Sequence, residues 1–211
     1  MNTTSTPLTR RDSNKLRNRQ EILAAARVVF AEKGYQQAGI QEIADRADFA
    51  VSTLYSLFDG KEALYRQVSI DVAKQAGSLF DAAMDQGKTP YEKLVQYVRA
   101  KGAILREMPE GCRMLEMEWQ LLHSPQGGEI PKDGIGSIYR RFMGHIEALF
   151  TAGIQDGSFV DGDPALMAAL LDSTANTLMT LARSDPEHYD YDQRVDEVIA
   201  LFFSPVLRMS V

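Results

Sequence analysis

The residues with the most to say about chemistry lie between Gln41 and Lys61. Val51, Ser52, Thr53, Tyr55 and Ser56 are mostly small or hydroxylated, and they share one face of a short run whose other face is Leu54, Leu57 and Phe58. A face of that kind suits close approach to duplex DNA, because small side chains reach base edges in a groove and hydroxyls bond phosphate oxygens. Gln41, Val51 and Ser52 are the candidates for base edges; Thr53, Tyr55 and Lys61 are candidates for phosphates. Lys61 belongs to the run Asp59-Gly-Lys-Glu62, which reads as a capping box, so its ammonium would stand at a positive helix N-terminus that favours an anion. Lys15, Arg17 and Arg19, in a stretch where the first twenty residues carry five Lys/Arg against Asp12 alone, are further phosphate candidates.

Catalytic chemistry has no comparable set of residues. There is no Gly-rich phosphate loop, nucleophile elbow or metal-ligand spacing. His123, His145 and His188 lack ligand spacing, and the single cysteine, Cys112 beside Arg113, reads as an inert helix residue. The expectation is no enzyme, no catalytic or metal site and no cofactor. With one cysteine, no signal-like opening and no run of membrane-spanning length, the chain is expected to be cytoplasmic and off the membrane.

The elements that must position these groups are legible as helical periodicities. Ile40, Ile43, Ala44 and Ala47, then a break at Asp48–Ala50, then Leu54, Leu57 and Phe58 give the spacing of a helix-turn-helix over residues 39–58. Ahead of it, Ile22, Ala25, Ala26, Val29 and Phe30 predict a helix from about Ser13 that stops at Gly34. After it, Leu64 to Ala83 predict a long fourth helix, which ends at the Asp85-Gln-Gly-Lys88 break. Thr89-Pro90-Tyr-Glu92 opens a fifth that Pro109 halts, and a sixth runs to about His123. The segment Gln126–Gly128 is a loop, and a seventh helix spans about Pro131 to Asp156. Asp163-Pro164 caps an eighth, apolar on nearly every side, and a ninth covers about Tyr191 to Leu207. No strand pattern is found, so the fold class is all-α with about nine helices.

Net charge is −6, yet residues 1–66 carry ten Lys/Arg against eight Asp/Glu and residues 67–211 carry thirteen against twenty-one, so the sign of the asymmetry suits an N-terminal partner that is an anion.

The run Ile22-Leu-Ala-Ala-Ala26, Phe30, Gly34-Tyr35, Ile40-x-x-Ile43-Ala44, Ala47, Thr53-Leu54-Tyr55, Phe58 and Lys61-Glu62-x-Leu64 resembles the N-terminal domain of TetR/AcrR-family transcriptional regulators. The resemblance implies a disordered basic arm over residues 1–15 and a three-helix DNA-binding domain over 16–76. It also implies a helical effector-binding and dimerisation domain over 77–211. The chain departs from the family pattern at Ala38-Gly39 and Ala50, which remove hydroxyl caps, at Asp48 in a turn usually made by Gly, and at Leu57 in place of a common His. The implied function is a ligand-responsive regulator, most often a repressor. It would occupy a palindromic operator in double-stranded DNA as a homodimer joined through the last two helices, and be released by a small, largely apolar effector. Candidate pocket residues are Tyr97, Met108, Arg113, Met117, Trp119, His123, Phe142, His145 and Asn176, with Asp172 and Asn176 notable as polar groups on an apolar helix. A helical scaffold that has lost DNA binding is the alternative that the missing caps leave open.

Overall fold

The computed structural model describes residues 9–122 and 134–207, and among them nine helices. In chain order these are α1 Arg10–Gln37, α2 Ile40–Ala47, α3 Val51–Leu57, α4 Lys61–Met84, α5 Pro90–Glu107, α6 Pro109–Leu122, α7 Gly134–Gln155, α8 Pro164–Ser184 and α9 Tyr191–Phe203. The chain divides into two compact units, Met1–Ser69 and Ile70–Val211, so the boundary falls inside α4 between Ser69 and Ile70, about two turns earlier along that helix than the expected residue 76.

Local chemistry explains most of the helix ends. Thr89 accepts from the Glu92 amide while Glu92 accepts from the Thr89 amide, a reciprocal box that opens α5 with Pro90 in its first turn. Asp163 and Asp190 cap α8 and α9 through backbone amides of Ala165, Leu166 and Gln193. Gly34 takes φ 71 and kinks α1, a backbone angle that a side chain would strain. α1 begins earlier than the expected Ser13. Thr9 and Asp12 form their own capping box, which starts α1 at Arg10 and places Lys15 on that helix instead of in a disordered segment. α4 likewise opens differently. Gly60, at φ 92, sits before Lys61, and its carbonyl accepts from Leu64 N at 3.1 Å, so Gly60 rather than Asp59 holds the capping place. The expected loop at Gln126–Gly128 and the start of the seventh helix at Pro131 lie outside the described residues.

Unit 1 closes on Ile22, Ala26, Val29 and Phe30 of α1, Ile43 and Ala44 of α2, Leu54 of α3, Phe58, and Leu64 and Val68 of α4, all buried. Tyr65 extends this core, its ring edge-on to Phe30 and Tyr35 at 4.9 and 5.1 Å.

Unit 2 is a helical layer in which α5 and α8 pack centrally against α7 and α9. Tyr97, Ile104, Ile146, Phe150, Phe159, Leu171, Ala175 and Phe203 are buried at its centre. Gly153 lets α7 lie directly on Phe159, since a Cβ there would come within 2.2 Å of that ring. α9 stops at Phe203, short of the expected Leu207. The chain beyond it turns back so that Val160 N donates to the Val206 carbonyl at 2.8 Å, with an isolated bridge from Phe159 to Leu207.

Contrary to the expectation that no run reaches membrane-spanning length, α8, with 21 largely apolar residues, would by length and composition alone suffice to cross a membrane. Its inward face is buried among other helices of unit 2 and carries an acid, Asp172.

Candidate DNA-contacting face and helical cavity

α2 and α3 are short, and their geometry follows from the residues at the turn. Asp48 adopts φ 57 and ψ 42, the left-handed conformation in which Asp is among the better-tolerated side chains. Neither Gly39 nor Ala50 supplies a side-chain cap. The two helices are held instead by the packing of α2 on α1 and on α3 and by burial of Ile43, Ala44 and Leu54 in the core of unit 1, which offsets the roughly 1 kcal/mol that each absent cap costs.

The face opposite Leu54 is open. Tyr55 is 59% exposed despite its aromatic ring, Ser52 is exposed, and Val51 and Thr53 are half-buried. Ser56 donates back to the Thr53 carbonyl at 2.7 Å. Gln41 is exposed on α2, with its amide donating to Asp45 at 2.7 Å. Lys15 is exposed, and Arg17 lies 3.7 Å from Glu21 one turn on.

Two basic residues assigned to phosphates have other partners here. The Arg19 guanidinium donates to the Leu57 carbonyl at 2.9 Å and to Gln67 at 3.3 Å, and lies 4.3 Å from the centroid of Phe58. It therefore closes the C-terminal end of α3 against α1, satisfying a carbonyl that the helix leaves open, rather than standing free toward an anion. Lys61 donates to the Gln36 carbonyl at 3.2 Å and sits 4.6 Å above the Tyr35 ring.

Unit 2 contains a cavity of about 120 Å³ between α4, α5, α6, α7 and α8. Much of its wall is apolar, with Phe80 from α4, Ile104 from α5, Leu115 and Trp119 from α6, Ile135, Ile138 and Phe142 from α7, and Met179 from α8, while Glu116, Glu118 and Gln120 of α6 and Thr180 of α8 also reach it. Ala73, Ala76 and Gly77 leave space along α4 where larger side chains would fill it. Of the residues expected in a pocket, Trp119, Phe142 and Asn176 line this one, and Asp172 with them.

The others are placed differently. Tyr97 is fully buried behind the wall, its ring against Phe80 and Phe142 at 5.1 and 5.3 Å. Met108 packs near Gly111, Met117 is half-buried outside the lining, and Arg113 is exposed. His145 is on the surface, 3.6 Å from Asp81. His123 lies outside the described residues.

The polar end of the cavity centres on Asp172, whose carboxylate accepts from the Tyr97 hydroxyl, from Lys101 Nζ at 2.9 Å, from Asn176 Nδ2 at 3.1 Å and from the Tyr139 hydroxyl at 3.3 Å. Lys101 also donates to Asn176 Oδ1 at 2.6 Å. The side chains of Lys101 and Asp172 are 5% and 4% exposed, a buried ion pair. Burial pushes the Asp172 carboxyl up, but the Lys101 charge and the donated hydrogen bonds outweigh it and hold it below the usual carboxylate range. Burial and the adjoining carboxylate raise the Tyr97 and Tyr139 hydroxyls, which stay protonated and donate.

Lys101 was not among the expected site residues, although the sequence carries a signal. It occupies the apolar stripe of α5 formed by Leu94, Tyr97, Val98 and Ile104, where a lysine needs a buried partner. Nearby, Glu116 accepts from Arg183 at 2.6 Å and from Thr180 at 3.0 Å, so this second acid at the cavity is paired as well. Burial, then the Glu116 charge, pushes the Cys112 thiol up to about 12, which keeps it protonated and unreactive.

Residues 22–68 match the family described as bacterial regulatory proteins, tetR family. The chain is 25% identical over 187 residues to the fatty acid metabolism regulator protein of Bacillus subtilis, covering 88% of this chain and 94% of that one. It is 22% identical to the HTH-type transcriptional repressor KstR of Mycolicibacterium smegmatis, covering 87% of this chain and 85% of that protein. Among solved structures, the transcriptional regulator FadR from Bacillus subtilis in complex with stearoyl-CoA superposes with a TM-score of 0.73 at 23% identity, over 88% of this chain and 98% of that one.

Proposed function

We propose that this chain, which belongs to the TetR family of transcriptional regulators, is a cytoplasmic repressor that binds a palindromic operator as a homodimer and leaves it when a small ligand enters the cavity of unit 2. It is a DNA-binding regulator and not an enzyme. The observation that carries the reading is the face of α3: a short helix with its apolar side buried and Val51, Ser52, Thr53 and Tyr55 turned outward, at the end of a left-handed turn. Val51, Ser52 and Gln41 would meet base edges; Thr53, Tyr55, Lys61, Lys15 and Arg17 would meet phosphates.

One helix-turn-helix makes too few contacts for specific binding, so a twofold pair is needed, with half-sites about one helical turn or a multiple apart. Support for the pairing surface comes from Leu166 and Leu170 on α8 and Leu201 on α9, the last 78% exposed, which leave an apolar face on the two final helices. The effector would act by binding one arrangement of the dimer better than the other. The relatives named above include a repressor and a protein solved with an acyl thioester, which favours repression and a largely apolar effector.

A salt-dependent shift of a DNA fragment from the region upstream of the protein's own gene tests this directly. Binding that weakens steeply between about 50 and 200 mM salt is the expected result. A protein that ignores every duplex even in dilute salt would instead be the scaffold to which the uncapped α2 and α3 point.

A further inference from the structure

We infer that the cavity of unit 2 selects a ligand whose buried end is uncharged and carries a hydrogen-bond acceptor such as a ketone, ester or alcohol oxygen, and that it discriminates against carboxylates. The inference rests on reading that cavity as the effector site.

The argument starts from the valences around Asp172. An ionised carboxylate offers about four acceptor positions, and Tyr97, Lys101, Tyr139 and Asn176 supply four donors to them. Asp172 is thereby saturated and has no acceptor left for a ligand donor. Lys101 has three N–H groups, of which Asp172 and Asn176 take two; Asn176 has two amide hydrogens, of which Asp172 takes one. The polar end of the cavity therefore presents donor capacity from Lys101 and Asn176 to whatever fills the apolar space beside it.

Charge then decides between acceptors. The Lys101 ammonium is already balanced by Asp172 at 2.9 Å, and Arg183 is balanced by Glu116 at 2.6 Å. A carboxylate brought to Lys101 would sit within a few ångströms of the Asp172 carboxylate in a nearly dry site, where like charges are screened poorly and each must also lose its water. A neutral oxygen receives the same hydrogen bonds without that repulsion. Most of the remaining wall, Phe80, Ile104, Ile138 and Phe142 among it, is hydrocarbon, and its other polar groups are Glu116, Glu118, Gln120 and Thr180, of which the acids add to the penalty on an anion.

Trp119, the only tryptophan in the chain, lines the cavity and reports its occupancy by fluorescence. The test titrates the full-length protein at pH 7.5 with four probes that share a ten-carbon chain: 1-decanol, 2-decanone, decanoate and decyltrimethylammonium. The expected result is that the alcohol and ketone bind at least tenfold more tightly than decanoate, and no less tightly than the cation. In Asp172→Asn, which unbalances Lys101, decanoate affinity should rise at least tenfold while decanol changes little.

Decanoate, or the cation, binding more tightly than decanol in the unaltered protein overturns the inference and leaves the effector site standing. A folded Asp172→Asn protein with no gain for decanoate overturns the charge argument. If that variant does not fold, the head-group series on the unaltered protein still decides. Should none of the four probes perturb Trp119 or the melting temperature, the effector-site reading fails and this inference with it.

Discussion

Replacing Lys101 with methionine keeps most of the side-chain length and removes the charge, which isolates the buried ion pair. At 2.9 Å and an effective dielectric of about 20, the attraction between Lys101 and Asp172 is about 6 kcal/mol before desolvation. After the change Asp172 keeps the donors Tyr97, Tyr139 and Asn176 and can also take up a proton, so part of that loss is recovered. The expected net destabilisation is about 3–5 kcal/mol at pH 7.5, the range seen when one partner of a buried pair is removed. Urea unfolding followed by Trp119 fluorescence, at fixed protein concentration because association raises apparent stability, measures it within unit 2.

The pH dependence gives a second check. In the unaltered protein Asp172 is held below its unfolded value, so its contribution is complete above the ordinary Asp range and is lost as pH falls through the lowered folded value. In Lys101→Met the largest influence left is burial, which raises that carboxyl, so folding takes up a proton and the variant gains stability as pH falls. The gap between the two proteins should therefore be widest at neutral pH and narrow toward acid. The double variant Lys101→Met/Asp172→Asn should recover most of the loss. A cost under about 1 kcal/mol, or a gap that stays constant from pH 7.5 to pH 5, would refute the assignment of this pair as the structural centre of the cavity.

Other outcomes follow from single contacts. Arg19→Ala should lower stability by about 1.5–3 kcal/mol through the lost Leu57 and Gln67 hydrogen bonds and weaken DNA binding, with the slope of log K against log salt unchanged in gel shifts; a lower slope would restore Arg19 as a phosphate ligand. Lys61→Ala, by contrast, should reduce that slope by about 0.9 per half-site and weaken all sequences alike. Gly153→Ala must displace the buried Phe159 ring and should cost about 1–3 kcal/mol in thermal or urea unfolding, whereas Gly144→Ala, with open space around it, should not. Leu170→Glu with Leu201→Glu should yield monomers by light scattering and abolish specific DNA binding; a dimer that persists would move the pairing surface away from α8 and α9.

The sequence by itself determined the helices and where most of them end, because those features depend on neighbours within four residues. Thr89-x-x-Glu92, Asp163-Pro164 and Gly34 each act through their own turn, and the apolar periodicity of α2 and α3 marks which side of each is buried. The outward set Val51, Ser52 and Tyr55 was legible for the same reason, since a helix with one apolar face must expose the other. Only the tertiary structure decided what the charged groups do. Arg19 and Lys15 look alike in a basic N-terminal stretch, yet Arg19 lies beside the Leu57 carbonyl, 38 residues away, and becomes a fastener. Lys101 and Asp172, 71 residues apart, find each other only when α5 packs on α8. A charge has no short-range periodicity to reveal its partner. Whether it faces water, phosphate or a buried counter-ion is fixed by which helices meet, and that is a property of the packed chain.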